Sequence, residues 1–156
     1  MTSPFKCLIL GSDHGGWKLK QELSSLLFEI YPEIAQVDIS PNLDPEDDFP
    51  VVANDILTEF LIQEIIFGVG NVGIIGFCSS GNGINIALNR NKLIRSINCK
   101  TEEEISLSRQ HLNINGLCFS GCHFKSGKAL KFLNYFLFTE KYTDQKYIRR
   151  IKQISS

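Results

Sequence analysis

The sequence predicts an α/β fold, a sandwich of about five parallel strands with helices on its faces. Two observations carry this. Short apolar, β-branched runs closed by glycine alternate along the chain with segments whose apolar residues recur at helical spacing. Strand and helix alternating in this way require parallel strands joined by right-handed crossovers. The 156 residues, 43% of them hydrophobic, suffice for one sizeable core, so a single domain over residues 1–156 is expected.

Taken in order, Cys7 to Leu10, closed by Gly11, reads as the first strand. Trp17 opens a helical pattern through Leu19, Leu23, Leu26 and Leu27, which Tyr31-Pro32 stops. Ala35 to Ile39 reads as a second strand. Ser40 to Pro50, with its prolines and acids, reads as a loop, and Val51 to Phe67 as a long helix ended by Gly68-Val69-Gly70-Asn71. Val72 to Phe77 is a buried strand, followed by a Ser/Gly/Asn turn and a helix starting near Ile84. Leu93 to Ile97 is strand-like. Thr101-Glu102-Glu103-Glu104 has the pattern of a helix cap, for a helix through about Gln110. Gly116 to Phe119 gives a last strand, and Lys125 to Phe138 and Thr143 to Ile154 give two amphipathic helices.

Composition narrows the function. Sixteen basic and 17 acidic side chains leave a net charge of −1, without the basic field that favours nucleic acid. No apolar run is long enough to span a bilayer, and Met1 to Pro4 lead directly into the first strand pattern, so no membrane partner and a cytoplasmic location are expected. The five cysteines, Cys7, Cys78, Cys99, Cys118 and Cys122, are odd in number and irregularly spaced, which argues for a reducing compartment. Cys118-x3-Cys122-His123 lacks a second ligand pair, so no metal site is expected.

The chemistry concentrates in Cys78-Ser79-Ser80-Gly81-Asn82-Gly83. A strand that turns into a helix there presents unpaired amides and the positive end of a dipole, suited to an anion or a developing oxyanion. Cys78 at its mouth fits a base or nucleophile, and equally an inert buried thiol. By the geometry of parallel sheets, Ser12-Asp13-His14-Gly15-Gly16 after the first strand shares that edge. Asp13-His14 fits a sugar hydroxyl and an anionic group, or a helix cap beside a solvated imidazole. His111 ends its helix before a strand, so the same rule does not bring it to that edge; it suits proton transfer, or complements the helix dipole. Lys141, Lys146, Arg149, Arg150 and Lys152 make the last helix basic, a phosphate-binding surface or a solvated face.

Together, Gly11 to Gly16 with Leu19-Lys20, Asp48-Phe49-Pro50, Gly76 to Asn89, Leu107 to His111 and Asn115 resemble the type B ribose-5-phosphate isomerases and the related galactose-6-phosphate isomerase subunits. The segments occur in family order across nearly the whole chain. The resemblance implies a three-layer α/β/α Rossmann-like domain with a five-stranded parallel sheet, acting as a homodimer or larger homo-oligomer with sites at the subunit interface. It implies interconversion of aldose and ketose phosphates through a cis-enediolate, without metal or organic cofactor. Residue by residue, it implies Cys78 as the base between C1 and C2 and Ser80 as its hydroxyl partner. The amides of Gly81, Asn82 and Gly83 become the oxyanion pocket, and His111 the ring opener. Asp13 is implied to bind ring or hydroxyl oxygens, with His14 and Arg150 as phosphate or substrate contacts.

Three departures stand against the pattern. Leu112 replaces the asparagine that follows the family histidine, Ser120-Gly121-Cys122 replaces Gly-x-Arg, and Lys146 to Ile151 only partly matches Arg-His-x-x-Arg-Val. A lost charge-assisted phosphate contact weakens binding by about 1.5–3 kcal/mol. Ribose 5-phosphate is the first substrate expected; a sugar-phosphate-binding relative with little turnover and an isomerase of a six-carbon sugar phosphate are the alternatives.

Overall fold

A computed structural model of the chain describes residues 2–156. Strands β1 (Cys7–Ser12), β2 (Ala35–Asp38), β3 (Val72–Cys78), β4 (Ser96–Asn98) and β5 (Gly116–Ser120) form one parallel sheet in the order β2-β1-β3-β5-β4. Helices α1 (Trp17–Ile30), α2 (Phe49–Phe67), α3 (Asn82–Leu88), α4 (Glu102–Leu112), α5 (Ser126–Phe138) and α6 (Gln145–Ile154) connect and flank it.

Because side chains alternate across a strand, the sheet supplies two cores. Leu8, Leu10, Ile75, Phe77, Leu117 and Phe119 face α1, α4 and α5, packing with Leu23, Ile105 and Phe132. Cys7, Ile9, Ile74, Cys78 and Cys118 face α2 and α3, packing with Ile56, Phe60, Ile84 and Leu88. The result is the expected α/β/α sandwich, with the Cys78 sulfur on the α2–α3 side. From β1 the chain builds outward to β2 and then returns to place β3 on the other side. The β1–β3 boundary is therefore the switch point, the place at the carboxyl ends of the strands where ligands bind in open parallel sheets.

Local chemistry explains most boundaries. At α4, Thr101 Oγ1 accepts from the Glu104 amide and the Glu104 carboxylate accepts from the Thr101 amide, a complete capping box. Helix α2 begins two residues earlier than the sequence pattern predicts, since Pro50 in a first turn gives up only an amide that needs no intrahelical partner. The strand expected over Leu93 to Ile97 lies instead at Ser96–Asn98. Asn91 to Ile94 forms a turn, and the Arg95 amide is taken by Asn115 Oδ1 at 2.8 Å. No helix among the described residues is long and apolar enough to cross a membrane.

Candidate active site

Cys78 ends β3 with its side chain only 3% exposed. The next three residues turn the chain into α3. Gly81 sits at φ 76°, the left-handed region where a side chain is strained, and its amide donates to Cys78 Sγ at 3.1 Å. A Cβ on Gly81 would also meet the Phe119 carbonyl carbon at 2.9 Å and the Ser120 amide nitrogen at 3.0 Å. Ser80 Oγ accepts from the Asn82 amide at 3.1 Å, and Asn98, from the end of β4, donates to Asn82 Oδ1 at 2.6 Å. Gly83 is open toward a protein group: the Phe49 ring, at the start of α2, lies where its Cβ would stand. That contact gives the Asp48-Phe49-Pro50 segment a physical purpose.

The loop after β1 packs directly on this turn. A Cβ on Gly15 would overlap Ser79 Oγ, and one on Gly16 would reach Phe77 Cβ at 2.5 Å. Asp13 is 7% exposed and accepts from the Gly15 amide at 3.0 Å. Burial pushes its carboxyl above the usual range, against the pull of that amide and of His14. The capping role considered for Asp13 goes elsewhere, since Gly16 is the residue preceding α1. His14 is half exposed, and Asp47 Oδ1 holds both its amide and its Nδ1 at 2.8 Å. The bond to Asp47 raises the imidazole above its ordinary value, so it keeps its proton to higher pH. With Nδ1 committed, Nε2 is the edge left for a ligand.

A third loop buttresses the corner. The Gly121 amide donates to the Cys78 carbonyl at 2.8 Å, and Ser120 Oγ donates to the Ser79 carbonyl at 2.6 Å. With its one proton committed there, Ser120 Oγ accepts from His123, whose Nδ1 at 2.9 Å therefore carries a proton. The sequence pattern singled out neither Ser120 nor His123 as a positioning group; a serine at the buried end of β5 was the available signal. Asp47 is not singled out either, and the fully buried Lys20 enters the sequence reading only within the Leu19-Lys20 segment, without a role. Lys20 Nζ bonds Asp38 Oδ2 at 2.5 Å and the Ser40 carbonyl at 2.8 Å, pinning the loop that leads to Asp47.

His111 and Arg150 are not brought to this corner within one chain. Helix α4 runs back against the strands. Bonds from Arg109 to the Ile114 carbonyl and from the Arg95 amide to Asn115 set its end beside the amino ends of β4 and β5. The five residues of β5 span roughly 13 Å, so His111 and Cys78 occupy opposite edges of the sheet. There His111 and Arg150 share a cleft of about 260 Å³ with Leu107, Ser108, Leu112 and Tyr147. A larger cleft, about 540 Å³ between α4 and α5, is lined by Ser106, Gln110, Asn134, Tyr135, Phe138 and Thr139 and offers neither carboxylate nor cation.

Comparison with known proteins bears on this arrangement. The sequence matches the Ribose/Galactose Isomerase family over residues 8–154. The probable ribose-5-phosphate isomerase B of Mycoplasma genitalium is 29% identical over 150 residues, 94% of this chain and 92% of that protein. The ribose-5-phosphate isomerase B of Escherichia coli is 32% identical over 114 residues, 73% and 71% respectively. Among solved structures, ribose 5-phosphate isomerase B from Anaplasma phagocytophilum superposes with a TM-score of 0.83 at 26% identity, covering 99% of both chains. The Mycoplasma genitalium enzyme with bound ribulose-5-phosphate gives 0.80 at 27%, covering 96% of this chain and 93% of that one. The cysteine corner at the switch point is thus set in a fold and sequence shared along nearly the whole chain, which belongs to the ribose/galactose isomerase family.

Proposed function

We propose that this chain interconverts ribose 5-phosphate and ribulose 5-phosphate, with Cys78 Sγ as the base that carries the proton between C2 and C1. The observation that carries this reading is the sulfur at the end of β3, met by the Gly81 amide and adjoining the Asp13 loop at the switch point. His111 moves a proton from the C1 hydroxyl to the ring oxygen, opening the furanose to the aldehyde. Cys78 removes the C2 proton, and the electron pair passes to the carbonyl oxygen, forming a cis-enediolate whose negative oxygen is met by the amides of the Gly81–Asn82–Gly83 turn. Return of the proton to C1, with the 2-hydroxyl proton passing to O1 through Ser80, completes the ketose. Nothing is oxidised or reduced overall. Asp13 receives sugar hydroxyls, and His14 Nε2 and Arg150 meet the phosphate.

The same reading requires two copies. His111 and Arg150 of one chain cannot serve Cys78 of that chain across the sheet, so a second copy brings them to it, in a homodimer or larger symmetric assembly. The uncovered apolar side of α2, with Leu61, Ile62, Ile65 and Ile66 exposed, supports burial against another surface.

The test is ketose formation from ribose 5-phosphate by the purified chain and by Cys78→Ala, with galactose 6-phosphate in parallel. Turnover lost in the variant supports the assignment. Ligand-induced stabilisation without turnover in the wild type makes the chain a binding module, and turnover on the hexose phosphate alone moves the substrate.

A further inference from the structure

We propose that Tyr147, braced by Tyr142, is a positioning residue that holds the His111 imidazole in the plane needed for ring opening. This rests on the isomerase reading and assigns a part of the reaction to residues outside the cysteine corner.

The geometry is that of a clamp. The Tyr147 and His111 rings stack face to face, with centroids 4.6 Å apart and planes 5° from parallel. Tyr142 packs at 5.5 Å from His111 and 5.7 Å from Tyr147, tilted against both. The Tyr142 amide donates to the Gln110 carbonyl at 2.9 Å, tying the α5–α6 connection to the turn of α4 that carries His111. Tyr147 sits in the first turn of α6, its own amide bonded to the Asp144 carbonyl at 3.0 Å. Lys146 Nζ lies 4.8 Å from the Tyr147 ring centroid, a further contact on that ring.

Stacking acts on the faces of an imidazole and leaves its nitrogens, which lie in the ring plane, available at the edge. His111 lines one cleft with Ser108 and Arg150. Ring opening needs one nitrogen to take a proton from one sugar oxygen and deliver it to another, so the ring's rotation about its Cβ–Cγ bond decides whether the nitrogen lies in line. A parallel aromatic partner resists that rotation; an aliphatic side chain fills the space without doing so. The hydroxyl of Tyr147 has no part in this, which predicts that Phe substitutes for it.

The two directions of the reaction separate a positioning role from a structural one. Ribulose 5-phosphate is acyclic, so enediolate formation from it needs the base and the amides but no ring opening. Three quantities are measured in wild type, Tyr147→Leu and Tyr147→Phe: turnover of ribose 5-phosphate, deuterium incorporation at C1 of ribulose 5-phosphate in heavy water, and the His111 Hε1 resonance. Leucine keeps an apolar anchor for α6 while removing the stack. The expected result for Tyr147→Leu is a kcat on ribose 5-phosphate lowered about 10- to 100-fold. Its deuterium incorporation stays at the wild-type rate, and Hε1 moves downfield as the ring current is lost. Tyr147→Phe keeps all three. Equal losses in turnover and exchange, or no loss in either, overturn the proposal while leaving the isomerase standing. Wild type that neither turns over ribose 5-phosphate nor exchanges the ketose overturns the isomerase reading itself, and this one with it.

Discussion

The cysteine corner and the His111 patch are built on opposite principles. At the corner, the loops after β1, β3 and β5 interlock so tightly that hydrogen is the only side chain tolerated at several positions. A Cβ on Gly121 would overlap the Gly15 carbonyl, and one on Gly15 would overlap Ser79 Oγ. At the patch, an imidazole is held by two tyrosine rings, Tyr142 on the α5–α6 connection and Tyr147 on α6, a helix none of whose residues is buried. The difference follows from what each region must hold. In the proposed reaction the corner supplies amides to a developing charge, which act only if they do not reorganise, and backbone locked by three strands cannot. In the same proposed reaction His111 is a proton shuttle, which needs its plane fixed but its edge free, and ring stacking on an outlying helix fits that need.

The sharpest way to break this comparison is to remove the proposed base. Cys78→Ala should lower turnover of ribose 5-phosphate by about 10²- to 10⁴-fold in a coupled ketose assay, with the fold retained by circular dichroism. Near-wild-type turnover would place the base elsewhere.

A second experiment asks whether the two regions meet across subunits. Cys78→Ala and His111→Ala, each inactive alone, are denatured, mixed in equal amounts and refolded together. In a C2 dimer half the molecules are then mixed, each with one intact site, so activity should return to about a quarter of the wild-type level. No recovery, with dimers re-formed, would put both residues to work within one chain or neither in the reaction.

The third compares the regions by stability. Gly121→Ala forces a methyl into the Gly15 backbone and should cost about 1–3 kcal/mol in urea unfolding. Leu112→Ala, on the exposed rim of the patch, should stay within about 0.5 kcal/mol. Equal costs would erase the contrast between interlocked and outlying regions.

The smallest effect concerns Asp13. Burial raises its carboxyl above the unfolded value of about 3.9, so the folded state favours the protonated form. Its stabilising contribution is complete below that value and lost as the pH rises through the folded value, and at neutral pH the ionised group is a net burden. Asp13→Asn keeps an oxygen for the Gly15 amide and removes the charge. It should melt at a higher temperature than wild type at pH 7, the gap closing towards about pH 4, while sugar-phosphate turnover falls.

How far the chain was readable varies by residue, for physical reasons. The Thr101–Glu104 cap and the β3 turn were legible because their causes are local: a side chain meeting an amide three residues on, and glycine between a β-branched run and a helix. The edge strand β4 was misplaced because the Asn115 side chain, twenty residues away, takes the Arg95 amide. Lys20 stands beside Leu19 in the sequence with no local sign that it is buried. Its burial depends on Asp38 and the Ser40 carbonyl, which only strand pairing brings within reach.

By itself the sequence determined the alternation of strands and helices, the parallel sheet they require, and the edge on which Cys78 and Asp13 meet. These follow from periodicity, turn chemistry and handedness, all set within a few residues. The tertiary structure alone decided that Phe49 covers Gly83, that Asp47 orients His14, and that Ser120 and His123 brace the cysteine turn. It also set His111 on the far edge under Tyr147. Each of these is a contact between segments distant along the chain, and its energy exists only once the sheet has brought them together.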